Sequence, residues 1–291
     1  MSKRVVFMEI NVAKRTGFCS GVQKTYNEVK NSLVDKNKIY IYGELVHNRK
    51  VIEELNSAGA ITITGMDDIP DDSIDETLII RAHGISKAEK DLLKKRFSKV
   101  IDMTCPIVTN LVKYVEKKQK DGFFVVVYGK PDHPEILGLK GNVDESKLLI
   151  TLSPVTIPQK KVLIVSQTTM GEEEYKNFIT SILTINSFTE VLIRDTICSE
   201  TILREKETLE LSQKSTLMLV LGGKNSSNTQ KLYRISKKYC KRTYHIESGE
   251  ELKEITISPQ DKIGIVTGSS TPTSELNKVL EYLSQEKEDF S

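Results

Sequence analysis

The most reactive side chains in this sequence belong to four cysteines, Cys19, Cys105, Cys198 and Cys240, which lie 86, 93 and 42 residues apart. No two of them form a Cys-x-x-Cys pair, so the spacing argues against zinc fingers and thioredoxin-type redox motifs. We recognise no export signal, and a disulfide framework is therefore not expected. Unpaired cysteines are commonly buried and inert, so the surrounding sequence must show whether these do chemistry.

Three of the cysteines occupy the same place in a threefold pattern. Each follows an apolar, β-branched run and precedes a segment whose apolar residues recur every three or four positions, which predicts an amphipathic helix. A second strand-like run then ends in glycine and a polar loop. Counting 28 residues onward from Cys19, Cys105 and Cys198 reaches one polar residue of each loop, namely His47, His133 and Ser226.

A third strand-like run in each unit ends in a second polar turn. It lies 64, 63 and 72 residues after the three cysteines, at His83, Thr168 and Ser270. Helices between consecutive strands are typical of βαβ crossovers, and parallel sheets bind ligands outside the carboxyl ends of their strands. We therefore predict an α/β fold of three similar units with mostly parallel sheets, each contributing one cysteine and two polar loops to a central site. Cys240 has no counterpart and is predicted to be structural.

The repeat predicts units at 20–105, 106–197 and 198–283. The N-terminal strand in 1–19 is expected to join the third unit, and the charged segment 284–291 is expected to be a frayed tail. Hydrophobic residues make up 38% and charged residues 28%, as in globular proteins. The net charge of +2 gives no electrostatic footprint for nucleic acid, and no apolar run approaches membrane-spanning length. We expect a cytoplasmic protein that binds neither nucleic acid nor membrane.

A trio of thiolates at a shared site is typical of a metal or iron–sulfur centre. Zinc would require a fourth ligand, for which a histidine is suitable. A 4Fe–4S cluster held by three cysteines would leave one iron able to take substrate. The spacing of the cysteines does not choose between these two centres.

The polar loops are suited to an anion. The loop Asn225–Asn228 and the turn Gly268–Thr271 each precede a helix-like segment, where hydroxyl and backbone N–H groups can hold phosphate. Simple helix capping is the commoner use of such residues. No GxxxxGK[ST] motif is present, so a nucleoside triphosphate is not implied. Three of the four histidines follow strand ends in the same pattern, and we take them as candidate functional residues: His47, His83 and His133.

Two further residues could act on a substrate. Glu135 follows His133 by two positions, and a carboxyl group enclosed among imidazoles can deliver protons. The hydroxyl of Thr168 could hold a substrate hydroxyl or a water molecule. An exposed loop acid and an ordinary strand threonine are the simpler interpretations of these two residues.

Several short motifs then lead to a known family. In chain order they are GFCSGV (17–22), ELVHN (44–48), RAHG (81–84), DMTCP (102–106), HPE (133–135), QTT (167–169), the Asp195/Cys198 pair, KNSSN (224–228) and GSSTP (268–272). Over essentially its whole length the chain resembles the LytB or IspH family, the 4-hydroxy-3-methylbut-2-enyl diphosphate reductases. Each motif is weak alone, and the ordered set is highly specific.

The resemblance implies a fold, a cofactor and a reaction. The fold would be a pseudo-threefold, three-lobed arrangement of α/β units around a central iron–sulfur site. Cys19, Cys105 and Cys198 would hold one 4Fe–4S cluster with one open iron. The reaction would be reductive dehydroxylation of an allylic alcohol diphosphate to isopentenyl and dimethylallyl diphosphate, in the non-mevalonate isoprenoid pathway. An electron donor such as ferredoxin or flavodoxin would be required.

The resemblance also implies roles for the remaining candidate residues. The substrate diphosphate would be bound by His47, His83, Ser226, Asn228 and Ser270, and Ser227 and His133 would also line the site. Thr168 and Glu135 would contact the substrate hydroxyl, and Glu135 would supply protons.

Two other classes of function remain possible from the residues alone. One is a zinc-dependent hydrolase of a phosphorylated small molecule, in which Glu135 would act as the base. The other is a non-enzymatic anion-binding protein whose cysteines are inert.

Overall fold

The computed structural model describes residues 8–35 and 38–289. Its strands are β1 (Glu9–Val12), β2 (Ile39–Tyr42), β3 (Ala60–Ile63), β4 (Thr77–Ile80), β5 (Lys99–Asp102), β6 (Phe124–Tyr128), β7 (Leu148–Thr151), β8 (Lys161–Ser166), β9 (Glu190–Ile193), β10 (Leu217–Leu221), β11 (Thr243–Ile246) and β12 (Lys262–Thr267). Its α-helices are α1 (Ser20–Asp35), α2 (Arg49–Ser57), α3 (Lys87–Arg96), α4 (Pro106–Lys120), α5 (Pro134–Lys140), α6 (Glu172–Ile185), α7 (Ser199–Ser212), α8 (Ser227–Tyr239) and α9 (Thr273–Asp289).

The described strands form three four-stranded sheets in which every pairing is parallel. Their orders are β3-β2-β4-β5, β7-β6-β8-β9 and β11-β10-β12-β1. The three sheets have the same order when strands are numbered within each unit: the second strand, then the first, the third and the fourth. In the third sheet the fourth strand is β1, which comes from the start of the chain. The predicted fold of three parallel-sheet α/β units is therefore confirmed.

The central strands are almost entirely apolar because helices cover both faces of a parallel sheet. Val125, Val126 and Val127 of β6 are fully buried, as are all five residues of β10. Alternate residues of a strand point to opposite faces, so the side chains of β10 belong to two separate hydrophobic clusters. Leu219 packs with β1, β12 and α9 on one face, and Val220 packs with α8 on the other.

The chain divides into two compact units. The single-sheet unit holds residues 8–20, 46–51 and 199–289 and carries the sheet β11-β10-β12-β1. The two-sheet unit holds residues 21–45 and 52–198 and carries the other two sheets. The predicted boundary between residues 105 and 106 falls between those two sheets in sequence, although both sheets belong to one compact unit.

The predicted C-terminal tail differs from the structure, and parts of two predicted segments lie outside the described residues. Residues 284–289, expected to be a tail, continue α9, whose apolar residues Leu276, Val279 and Leu283 pack on the third sheet. Residues 290–291 and the start of the first apolar run, residues 5–7, lie outside the described residues. Within the described ranges, no helix combines the length and apolar character needed to cross a bilayer.

Candidate active site

The three repeated cysteines occupy equivalent backbone positions. Each follows the outer strand of its sheet, and its N–H donates to a carbonyl oxygen in the turn after the neighbouring strand. The pairs are Cys19 with Ser269 at 3.0 Å, Cys105 with Ala82 at 2.9 Å and Cys198 with Thr168 at 2.8 Å. None of the three is part of a disulfide, and each is half-buried. The same local structure therefore presents one thiol at the carboxyl edge of each sheet.

Cys240 has different surroundings. It ends α8, is 3% exposed and packs with Met218, Val220 and Leu232 in an apolar cluster. Its Sγ lies 3.5 Å from the carbonyl oxygen of Arg242. The position is that of a small core residue, in agreement with the prediction that Cys240 is structural.

The first polar loops are in the predicted register. The central strands β2, β6 and β10 end at Tyr42, Tyr128 and Leu221. The fifth residue beyond each of these strand ends is the predicted one, namely His47, His133 and Ser226. His133 and Ser226 each cap the helix that follows, so the loops also share a helix N-terminus.

The second polar turns require a one-residue correction. Parallel pairing aligns Tyr42 with Ile80, Tyr128 with Ser166 and Leu221 with Thr267. The third residues after those aligned positions are His83, Thr169 and Ser270. Thr168 therefore matches Ala82 and Ser269 in the backbone, not His83 and Ser270 as the counting suggested. Hydrogen-bonded pairing sets this register, whereas residue counts also include loops of unequal length.

Glu135 lies in the first turn of α5 and is 2% exposed. Its Oε1 accepts a hydrogen bond from the Thr168 N–H at 2.7 Å, and its Oε2 accepts one from the Thr168 hydroxyl at 2.6 Å. Burial raises the pKa of Glu135, and the two hydrogen bonds from Thr168 oppose that rise without cancelling it. A carboxyl group with a raised pKa keeps its proton to higher pH, which suits a general acid.

Two histidines lie beside this pair. The Nδ1 of His133 accepts a hydrogen bond from the Glu135 N–H at 3.2 Å, which assigns the proton of the neutral ring to Nε2. The His83 and His133 rings meet edge to face with their centroids 5.6 Å apart. The two-sheet unit thus brings together His83, His133, Glu135 and Thr168, and it also carries Cys105 and Cys198.

The single-sheet unit carries the other predicted anion-binding residues. They are His47, Ser226, Ser227, Asn228 and Ser270. Their loops pack closely, because a Cβ added to Gly223 would come within 2.0 Å of the His47 carbonyl oxygen. The Asn228 Oδ1 accepts a hydrogen bond from the Ser269 N–H at 3.0 Å and so joins the two loops.

Several buried donors of this unit have no hydrogen-bond partner among the described residues, and two of them belong to predicted anion-binding residues: the Ser270 hydroxyl and the Asn228 Nδ2 amide. Their residues are 6% and 3% exposed. Buried polar groups are nearly always hydrogen-bonded in native proteins, and orphaned donors point to an acceptor ligand. Neutral donors in closely packed loops match the diphosphate oxygens that the sequence motifs predict.

The sequence reasoning missed two residues that hold these loops. Gln167 accepts a hydrogen bond from the Lys130 N–H at 3.0 Å and donates to the Thr169 hydroxyl at 2.6 Å. Arg204 lies on the buried face of α7, whose members are polar at helical spacing: Thr201, Arg204, Thr208 and Ser212. A polar stripe where an apolar stripe is expected is the sequence signal that could have revealed Arg204.

The fold and the site define a class of protein. It is an α/β protein of three equivalent parallel-sheet units, each with one thiol and two polar loops at the carboxyl edge of its sheet. The family model described as LytB protein matches residues 10–284. The chain belongs to this family.

Named relatives agree with that assignment. The chain is 39% identical to the 4-hydroxy-3-methylbut-2-enyl diphosphate reductase of Pseudothermotoga lettingae, with 97% of this chain and 99% of the relative covered. It is 40% identical to the enzyme of the same name from Thermotoga maritima, with 96% and 97% covered. These relatives are reductases, and nothing in the comparisons supports the zinc-dependent hydrolase.

Solved structures give the same result. One is the structure of (E)-4-hydroxy-3-methyl-but-2-enyl diphosphate reductase, the terminal enzyme of the non-mevalonate pathway. It aligns with a TM-score of 0.70 and 32% identity, and the alignment covers 96% of this chain and 99% of that chain. The E-1-hydroxy-2-methyl-but-2-enyl-4-diphosphate reductase from Plasmodium falciparum aligns with a TM-score of 0.85 and 26% identity, covering 96% and 88%.

Proposed function

We propose that this protein reduces 4-hydroxy-3-methylbut-2-enyl diphosphate to isopentenyl diphosphate and dimethylallyl diphosphate, the last step of the non-mevalonate isoprenoid pathway. The observation that carries the proposal is the similarity to named reductases at 39–40% identity over nearly the whole chain. The protein is accordingly an oxidoreductase of this pathway.

The cofactor we propose is one 4Fe–4S cluster with three cysteine ligands, Cys19, Cys105 and Cys198, and one open iron. The donor set fits, because three half-buried cysteines outside any disulfide stand at equivalent positions and soft thiolates are the ligands of iron–sulfur clusters. When bound, such a cluster supplies electrons one at a time and offers an iron to the substrate hydroxyl.

The diphosphate is held by donors from the polar loops. In the single-sheet unit, the orphaned Ser270 hydroxyl and Asn228 amide donate to diphosphate oxygens, and His47, Ser226 and Ser227 add further donors. In the two-sheet unit, His83 binds the same group and His133 lines the site. Donors that are already fixed in place bind the anion without the cost of ordering them.

The proton chemistry belongs to Glu135 and Thr168. Replacing the hydroxyl group by hydrogen consumes two electrons and two protons: the carbon–oxygen bond breaks, water leaves and a carbon–hydrogen bond forms. Hydroxide is a poor leaving group, so a proton must reach the departing oxygen. The Thr168 hydroxyl bonds to the Glu135 carboxyl and is placed to orient the substrate hydroxyl, and Glu135 provides the proton.

Two features of this proposal concern the cell. The electrons come from an external one-electron donor such as ferredoxin or flavodoxin, and the enzyme acts in the cytoplasm.

The test is an anaerobic preparation assayed for metal and turnover. We expect brown protein with about four irons and four sulfides per chain. With a low-potential dye as electron donor, it should convert the allylic alcohol diphosphate to the two products. Colourless protein that contains one zinc per chain and does not reduce the substrate would overturn the proposal.

A further inference from the structure

Arg204 is a buried cation of the single-sheet unit, and no step proposed above uses it. It lies on α7, is 3% exposed and directs its guanidinium at two backbone segments. One is the segment 13–19, which follows β1 and ends at Cys19. The other is the end of β12, which leads into the turn that carries Ser269 and Ser270.

The guanidinium bridges these two segments. Its Nη2 donates to the Gly17 carbonyl oxygen at 2.9 Å. Its Nη1 donates to the Thr267 carbonyl oxygen at 2.8 Å and to the Thr267 hydroxyl oxygen at 3.1 Å. Its Nε donates to Glu200 Oε1 at 2.9 Å, which balances the buried charge. A planar fork with five donors can make this set of bonds, whereas a lysine ammonium cannot.

The two segments are also joined directly. The Gly17 N–H donates to the Thr267 hydroxyl at 3.0 Å, and the Cys19 N–H donates to the Ser269 carbonyl oxygen at 3.0 Å. Gly17 adopts a positive φ of 74°, and a Cβ there would come within 2.6 Å of the Thr273 hydroxyl. The turn before Cys19 is therefore specified by contacts with β12 and with the start of α9.

We propose that Arg204 is a positioning residue that holds Cys19 and the Ser269–Ser270 turn in a single geometry. This inference rests on the proposed function, in which Cys19 is a cluster ligand and Ser270 binds diphosphate. Both cluster retention and diphosphate binding then depend on one guanidinium that touches neither ligand. A merely structural arginine would affect only the amount of folded protein.

The test compares Arg204→Lys with Arg15→Lys. Arg15 is the matched control, because its side chain is 39% exposed and pairs with the same Glu200 and with Glu207, but makes no bond to Gly17 or Thr267 through its guanidinium. In the anaerobic holoenzyme, Arg204→Lys should release iron to a chelator at least about tenfold faster and raise the KM for substrate at least about tenfold, the effect of losing one charge-assisted hydrogen bond. Arg15→Lys should match wild type in both measurements.

A second variant guards against misfolding of the first. Thr267→Val keeps the side-chain shape and the Thr267 carbonyl bond, but removes the hydroxyl that Gly17 and Arg204 share. It should change iron release and KM in the same direction. The two substitutions combined should give less than the product of their separate effects, because they break one network. Wild-type iron release and KM in both variants would overturn the proposal.

A third measurement separates this proposal from the proposed function. In metal-free protein, hydrogen exchange at the Gly17 and Cys19 amides should be at least about tenfold faster in Arg204→Lys, because those amides exchange when the bridge opens. Exchange in α9 should be unchanged. Wild-type protein without iron or reductase activity would defeat the proposed function while leaving this measurement interpretable. Unchanged exchange at both amides would defeat the bridge itself.

Discussion

Replacing Glu135 by glutamine separates proton delivery from every other role of this residue. The glutamine side chain would keep an oxygen to accept from the Thr168 N–H, which now lies 2.7 Å from Oε1 of Glu135. The new amide group would face the Thr168 hydroxyl, which can rotate to accept instead of donate. Because both contacts survive, the free energy of unfolding at low pH should change by no more than about 1 kcal/mol.

The rate of turnover should fall far more. A positioned general acid contributes about 10²–10⁴-fold, which corresponds to about 3–5 kcal/mol of activation free energy. The assay is anaerobic reduction of the substrate with a chemical electron donor, with product quantified per cluster-loaded chain. Glu173→Gln, an exposed residue of α6, is the matched control and should behave as wild type. Glu135→Gln turnover within about threefold of wild type, with normal iron content, would refute the assignment of proton delivery to this residue.

The raised pKa of Glu135 adds a pH dependence with a definite sign. The unfolded carboxyl titrates near its ordinary value of 4.5, and burial raises the pKa in the folded protein. Between these two values the folded state binds more protons, so the free energy of unfolding decreases as pH rises through that window. Glutamine does not titrate, so Glu135→Gln should gain stability relative to wild type as pH rises from 4.5 through the raised pKa of the folded carboxyl. Denaturant unfolding at several pH values measures the difference, and a constant or opposite difference would contradict the burial argument.

Three further predictions test the site residue by residue. Cys105→Ser should lose most of its iron, whereas Cys240→Ser should retain wild-type iron content; equal loss in both would contradict their separation into ligand and core residue. Ser270→Ala should raise the KM for substrate about tenfold with a smaller change in kcat, since one donor to the diphosphate is removed, and an unchanged KM would exclude that contact. Gly223→Ala should displace the His47 loop, because its Cβ would lie 2.0 Å from the His47 carbonyl oxygen, and weaker binding of inorganic diphosphate by calorimetry measures the effect; wild-type affinity would show that the loop can move without cost.

Much of the fold could be predicted from the sequence because the strands and helices of each unit follow from short-range patterns of apolar and polar residues. Parallel sheets covered on both faces need continuous apolar strands such as β6 and β10, and the amphipathic helices between them follow the helical period. The equal distances from Cys19, Cys105 and Cys198 to the first polar loops survive in the structure because strand β2, β6 or β10 ends five residues before each loop residue.

Only the tertiary structure decided how these parts contact one another. Counting residues placed Thr168 one position out of register, because loop lengths vary and hydrogen-bonded pairing of strands does not. The bond between Glu135 and Thr168 joins residues 33 positions apart, and the raised pKa that makes Glu135 an acid exists only when the carboxyl is buried. Arg204 connects Gly17 and Thr267 over separations of 187 and 63 residues. The sequence thus determined the repeated units and which residues stand at their strand ends, since those follow from short-range patterns. Packing between distant segments determined the register of the polar turns, the raised pKa of Glu135 and the hydrogen bonds of Arg204. Each of these depends on neighbours that the chain brings together only when folded.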